Sequence, residues 1–332
     1  MDKHRAQPGS RPGDASLRTK VSTVSDTTHE GTVAVSTAPA PSPDDGLSPG
    51  ELAEKYGLSV SGARPGLPEY VRQLWGRRHF IAAYSMAKLS AQFTKARLGQ
   101  LWNVMTPLLN AAVYWLIFGV LLGTDHGIDN FIAYLVTGIF VFTFTQSSIL
   151  AGTRAISDNL GLVRALHFPR ACLPISVTLI QLQQLLYSMV VLVAIVLMTG
   201  EVPQMSWLLI IPSLLLQSVF NIGAAMFVAR VGSKLTDLTQ LMPFLLRTWM
   251  YVSGVFYSIN NVAKHLPHWV SVVLDVNPAA VYIDLMRYAM IDSFTSAQLP
   301  HHVWIAAVAW AAVAGVGGFV FFWKAEEQYG RG

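Results

Sequence analysis

From Val104 to Gly123 the chain runs 20 residues without a formal charge. At about 1.5 Å per residue such a run crosses ~30 Å of hydrocarbon. Its repetition decides the fold class. Five further apolar segments of similar length follow, near residues 131–152, 173–198, 207–229, 241–259 and 303–323, giving six with the first at 104–123. Only 13% of the 332 residues are charged and 52% are hydrophobic, against about a quarter charged in ordinary soluble domains. The reading is an all-α polytopic membrane protein with six transmembrane helices.

Loop charges orient these spans. Arg154, Arg164 and Arg170 follow the second span, and Arg230 with Lys234 follows the fourth. The intervening loops, 124–130 and 199–206, contain no Lys or Arg. The positive-inside rule therefore predicts a multi-pass protein of the cytoplasmic membrane with both termini cytosolic. The net charge of +4 is distributed beside the spans rather than gathered in a patch, so no nucleic acid is expected as partner. Cys172 is the single cysteine, which rules out an internal disulfide and suits a small core residue.

Three regions precede or interrupt the spans. Of the first 50 residues, 24 are Ser, Thr, Pro or Gly and none is aromatic; such a segment buries too little to offset its chain entropy, and residues 1–67 are predicted to be a disordered cytosolic tail. Residues 68–97 read as an amphipathic helix opening at Pro68-Glu69, with Val71, Trp75, Ala82, Met86, Leu89, Phe93 and Ala96 in one stripe. A basic amphipathic helix joined directly to a span is expected to lie on the inner membrane surface. Leu98, Gly99 and Trp102 form its junction with the transmembrane domain, which extends over 98–328. The external connection, 260–302, holds two apolar pieces, 269–276 and 279–291, each too short to cross. They read as re-entrant or external helices with a turn at Asn277 and Pro278, and Asp284 and Arg287 are spaced to pair at i, i+3.

The chain contains no Gly-Lys dipeptide and hence no Walker A loop. ATP-driven work must come from a partner. No G-x-S-x-G or H-E-x-x-H occurs either, so no catalytic residue and no metal ligand is assigned. Arg247, within the fifth span, is costly there and points either to the head groups or to an anionic substrate group. Tyr114, Trp115, Phe118, Phe140, Phe144, Trp249, Tyr251 and Tyr257 supply aromatic faces along the spans; they suit interfacial anchoring or packing, and equally a path on which sugar rings slide. The cytosolic segment 157–170 opens on cap residues and stops at Phe168-Pro169. With Leu160, Leu162 and Val163 exposed it would need a partner; otherwise it packs on its own spans.

Several of these residues together resemble a known family. Leu98-Gly99-Gln100-Leu101-Trp102 with Pro107, Phe168-Pro169-Arg170 with Pro174, the Ser253–Tyr257 end of the fifth span, and Asn277-Pro278 followed by Arg287 are similar to ABC-2 type permeases that export O-antigen or wall teichoic acid. The resemblance covers roughly residues 70–328. It implies a homodimer with two separate P-loop ATPase subunits that carry ATP and Mg, no cofactor in this chain, and a lipid-linked glycan as substrate. It implies further that the amphipathic helix is a gate-side interface element, that Asn159, Leu160, Leu162, Val163 and Arg164 couple to the ATPase, and that the re-entrant helices line the exit. The role of Arg247 is not inherited from the family; a phosphate-bearing polymer would suit its charge. A drug or small-lipid ABC-2 permease is the nearest alternative. A membrane-embedded glycosyl or acyl transferase, using Asp275, Asp284, His265 and His268, is the alternative from another class.

Overall fold

A computed structural model of the chain describes residues 44, 46–57, 65–93, 101–121, 128, 130–166, 168–235, 237–259, 262, 267–300 and 302–329. Every regular element among them is helical. The chain falls into two compact units, Met1–Ser59 and Val60–Gly332.

The first unit contains α1, Pro49–Lys55. Ser48 opens it: its backbone N–H donates to the Glu51 carboxylate at 2.7 Å and its hydroxyl oxygen accepts the Glu51 N–H at 3.4 Å, a reciprocal cap of the first turn. Lys55 and the Tyr56 hydroxyl each donate to Asp44 at 2.6 Å, and these bonds, Lys55 first, hold the Asp44 carboxyl below its ordinary range. The tail expected to be disordered over 1–67 thus includes a capped helix, built by local polar contacts that bulk composition does not reveal. Residues 1–43 of that tail lie outside the described residues.

In the second unit, α2 spans Leu67–Gly76 and α3 spans Arg78–Phe93. The single helix expected over 68–97 is broken at Arg77, whose N–H turns back to the carbonyls of the last α2 turn; Gly76, a poor helix former, precedes the break. Residues 94–97 lie outside the described residues. Tyr70, Ile81, Ser85 and Leu89 face the protein. Of the stripe read from sequence, Val71, Trp75, Ala82 and Met86 are exposed, Trp75 at 70%, and are left free for a membrane surface, while Leu89 turns inward.

Among the described residues, four helical runs are long and apolar enough to cross a membrane: α5, Phe131–Arg154; α7, Cys172–Met198; Met205–Gly232, a 3-10 turn continued by α8, Ile210–Gly232; and α12, Val303–Trp323. A fifth results if α10, His268–Val276, and α11, Pro278–Met290, count as one span, although they bend by 70° at Asn277. The six spans expected from sequence differ from this at two places. α4, Leu101–Tyr114, passes into a π-helical turn, Trp115–Leu121. α9, Leu238–Val252, is 15 residues long and stops well before Ile259, because the chain reverses at Gly254, whose φ of 66° is the left-handed region that a side chain resists.

α5 is the central post, packed by α7, α8, α9 and α11. Its side chains Phe140, Phe142 and Phe144 are all buried. Gln217 of α8 donates to the Val141 carbonyl at 2.9 Å and to the Thr145 hydroxyl at 3.0 Å, a polar tie between α5 and α8 where no water competes. α8 and α12 touch backbone to backbone at Gly223 and Gly318.

Candidate functional site

A cavity of about 240 Å³ opens between α4, α5 and α7, lined by Trp102, Thr106, Phe140, Thr143, Phe144, Ser147, Gln181, Gln184, Leu185 and Ser188. Helical periodicity produces this lining. Phe140, Thr143, Phe144 and Ser147 recur at threes and fours on α5, and Gln181, Gln184, Leu185 and Ser188 do so on α7. Three aromatic rings therefore meet a set of hydroxyls and amides, with no formal charge among the lining residues. Gln184 donates to the Gln92 side chain at 3.0 Å, which links the rim to the end of α3.

Of the residues singled out in the sequence, the fold brings Phe140, Phe144 and Trp102 together here. Trp115 is partly exposed in the π-helical turn. The side chains of Tyr114 and Phe118, and all of Leu98 and Gly99, lie outside the described residues. Arg247 is on the exposed face of α9 with Leu241, Phe244, Leu245 and Tyr251 and does not line the cavity. Trp249 and Tyr257 belong to another cluster: the Trp249 indole donates to Asn277 at 2.9 Å, and the Tyr257 carbonyl accepts the Tyr134 hydroxyl at 3.0 Å. The polar cavity residues were not singled out in the sequence. Their signal was present, since Thr143 and Ser147 at i, i+4, with Gln181, Gln184 and Ser188 at i, i+3, i+7, make polar faces on otherwise apolar spans.

That other cluster is organised by Arg287, only 1% exposed. Its guanidinium donates to the carbonyls of Tyr134 (3.2 Å), Gly254 (3.0 Å) and Val255 (2.9 Å) and to Asp284 (3.3 Å). It also lies 3.3 Å from the centre of the Tyr134 ring, a cation–π contact. The pairing of Asp284 with Arg287 is thus present, and the arginine does more, since it caps the reversal that ends α9. Gly138 leaves it room: a Cβ there would sit 2.7 Å from Nη2. Asn277 caps α11 by accepting the Ala279 N–H at 3.2 Å and donates to Ser253 at 3.1 Å, while Pro278 occupies the first helical position. At the start of α5, Glu201 accepts Asn130 and the Asp292 N–H, each at 2.7 Å.

On the opposite side of the bundle, a 3-10 turn, Ser157–Asn159, leads into α6, Leu160–Ala165. Leu160 and Arg164 are exposed and Leu162 is partly buried. Val163, expected on the surface, is buried against Ala155, Ala171 and their neighbours; a short helix turns one apolar side to its own spans. Asn159 also faces inward, accepting the Tyr84 hydroxyl at 2.7 Å and Lys88 at 3.2 Å.

A bundle of membrane-length helices with an uncharged polar cleft and a short surface helix on a basic side defines a multi-pass membrane protein of the transporter class. Residues 81–291 match the model of the ABC-2 type transporter family, and the chain belongs to that family. It is similar to the O-antigen export system permease protein RfbA of Myxococcus xanthus, 26% identical over 63% of this chain and 78% of that protein. A protein of the same name from Klebsiella pneumoniae is 25% identical over 59% of this chain and 73% of its own length. The polysialic acid transport protein KpsM of Escherichia coli is 24% identical over 65% and 83%.

Proposed function

We propose that this chain is the membrane permease of an ATP-driven exporter that moves a lipid-linked polysaccharide across the cytoplasmic membrane. The observation that carries the reading is the cavity between α4, α5 and α7. Rings at Trp102, Phe140 and Phe144 offer flat apolar faces to pyranose rings, and the hydroxyls and amides around them exchange hydrogen bonds with sugar hydroxyls. The names of the relatives, which export O-antigen and transport polysialic acid, support the same class of substrate.

Binding and hydrolysis of ATP with Mg belong in this reading to a separate pair of P-loop ATPase subunits docked on α6. Their closure moves α6, and with it α2–α3, which opens a path for the glycan while its lipid stays in the bilayer. The permease acts as a homodimer. An arginine facing lipid costs at least ~2.5 kcal/mol, which supports covering the Arg247 face of α9 with a second copy or with the aqueous path between copies. Six spans follow if α4 with its π-helical turn and α9 with the following segment each cross, with both termini cytosolic by loop charge and the α10–α11 pair at the outer face. The transferase alternative is weakened by the burial of Asp284 against Arg287, which removes one of the acids that it needs.

Loss of the chain should deplete surface polysaccharide and leave lipid-linked polymer in the inner leaflet. Undiminished surface polymer together with altered drug tolerance would replace this reading by the small-molecule one.

A further inference from the structure

Beyond α12 the chain folds back under the bundle. A 3-10 turn, Glu326–Gln328, carries the Glu326 carboxylate into a site where only 4% of the residue is exposed. Its oxygens are divided between two other segments. Oε2 accepts the Tyr70 hydroxyl of α2 at 2.8 Å, and Oε1 accepts the Arg170 backbone N–H at 2.9 Å. The Arg170 guanidinium donates to the Glu326 carbonyl at 2.6 Å, and the Tyr70 hydroxyl accepts the Ala171 N–H at 3.1 Å. Tyr329 stacks on Phe322 with ring centres 4.6 Å apart and donates to its carbonyl, which holds the turn closed.

One buried acid thereby joins the start of α2, the turn entering α7 and the end of α12. Burial alone penalises the charge, and a fold needing only packing here is served by an apolar side chain. The carboxylate instead satisfies donors from two segments that no helix connects. The other end of the α6 segment is tied as well, by Tyr84 and Lys88 of α3 on Asn159, while beside Arg170 the Phe168 ring packs on Phe80 with ring centres 5.6 Å apart. Between these two fastenings Leu160 of α6 and Leu166 just past its end are exposed.

We propose that Glu326 is a positioning residue, a latch that fixes the Phe168–Arg170 turn to α2 so that a push on α6 moves α2–α3 and the end of α12 as one body. The inference rests on the export reading above, in which a nucleotide-driven subunit supplies that push. Glu326→Gln keeps one oxygen for the Arg170 N–H but can meet Tyr70 only by donating to a hydroxyl oxygen that already accepts the Ala171 N–H, so both charge-assisted bonds of the carboxylate are lost. Tyr70→Phe is the milder change: it keeps the ring beside Phe319 and removes only the hydroxyl.

The test uses the full chain in lipid nanodiscs with spin labels at the exposed positions Arg72 and Leu166, and in parallel the chain co-produced with its ATPase subunits. The label distance should be narrow in the unaltered chain and broad in Glu326→Gln and Tyr70→Phe. The double variant should be no broader than the worse single, because both break one link. Glycan exported per ATP hydrolysed should fall at least about fivefold at unchanged amounts of inserted chain. If Glu326→Gln does not accumulate, Tyr70→Phe is read in its place. A distance distribution identical to the unaltered chain's overturns the latch, and broadening with undiminished export per ATP overturns its part in coupling. If the unaltered complex exports no glycan, the function reading fails, and the distance measurement still decides the latch.

Discussion

Replacing Arg287 by Met tests the hub that ends α9. Methionine keeps the volume of the stem but withdraws donors from the carbonyls of Tyr134, Gly254 and Val255 and leaves Asp284 without its partner. Hydrogen bonds to a charged group contribute about 1.5–3 kcal/mol each, and stranding one member of a buried ion pair costs about 3–5 kcal/mol. These losses overlap in one network and do not add, so about 5 kcal/mol is the expected destabilisation of Arg287→Met. Adding Asp284→Asn removes the stranded charge but not the orphaned carbonyls, and should return about 2 kcal/mol. The assay is reversible unfolding of the detergent-solubilised chain, followed through tryptophan fluorescence. A loss under about 1 kcal/mol for Arg287→Met, or a double variant less stable than the single, would refute the assignment of Arg287 as the cap of this reversal.

Three further outcomes follow from the same contacts. Gly138→Ala places a Cβ 2.7 Å from Arg287 Nη2 and should cost about 1–3 kcal/mol by overpacking, in the same unfolding assay. Ser147→Trp should occlude the roughly 240 Å³ cavity and abolish glycan export while the chain still inserts and ATP hydrolysis in the complex persists; export retained would remove the cavity from the path. Burial, partly opposed by the bonds to Arg170 and Tyr70, raises the Glu326 carboxyl above its ordinary 4.5. The folded chain then holds this proton to higher pH than the unfolded chain, so the Glu326 contribution to stability is greatest below pH 4.5 and is lost as pH rises through the folded value. Glu326→Gln should flatten that slope in stability measured across the acid range.

Much of the architecture was legible because hydropathy and loop charge are local properties. α5, α7, α8 and α12 each carry enough consecutive apolar residues to be recognised without knowing their neighbours. Asp284 and Arg287 could be paired because both sit on one helix at i, i+3. The early end of α9 was harder, since it depends on a backbone reversal held by Arg287 from another helix. Val163 shows a related difficulty: an apolar run marks a side of a short helix, but not whether that side meets a partner or its own spans.

The sequence by itself determined that this chain is a helical membrane protein and which of its loops are basic, because the bilayer selects on length and charge in each segment separately. Only the tertiary structure decided which polar residues meet. Arg287 finds the Tyr134 carbonyl 153 positions away, and Tyr70 finds Glu326 across 256. Partnerships at that separation depend on how the helices pack. No local pattern records them, because a buried hydrogen bond is set by a few tenths of an ångström between segments that are neighbours only after folding.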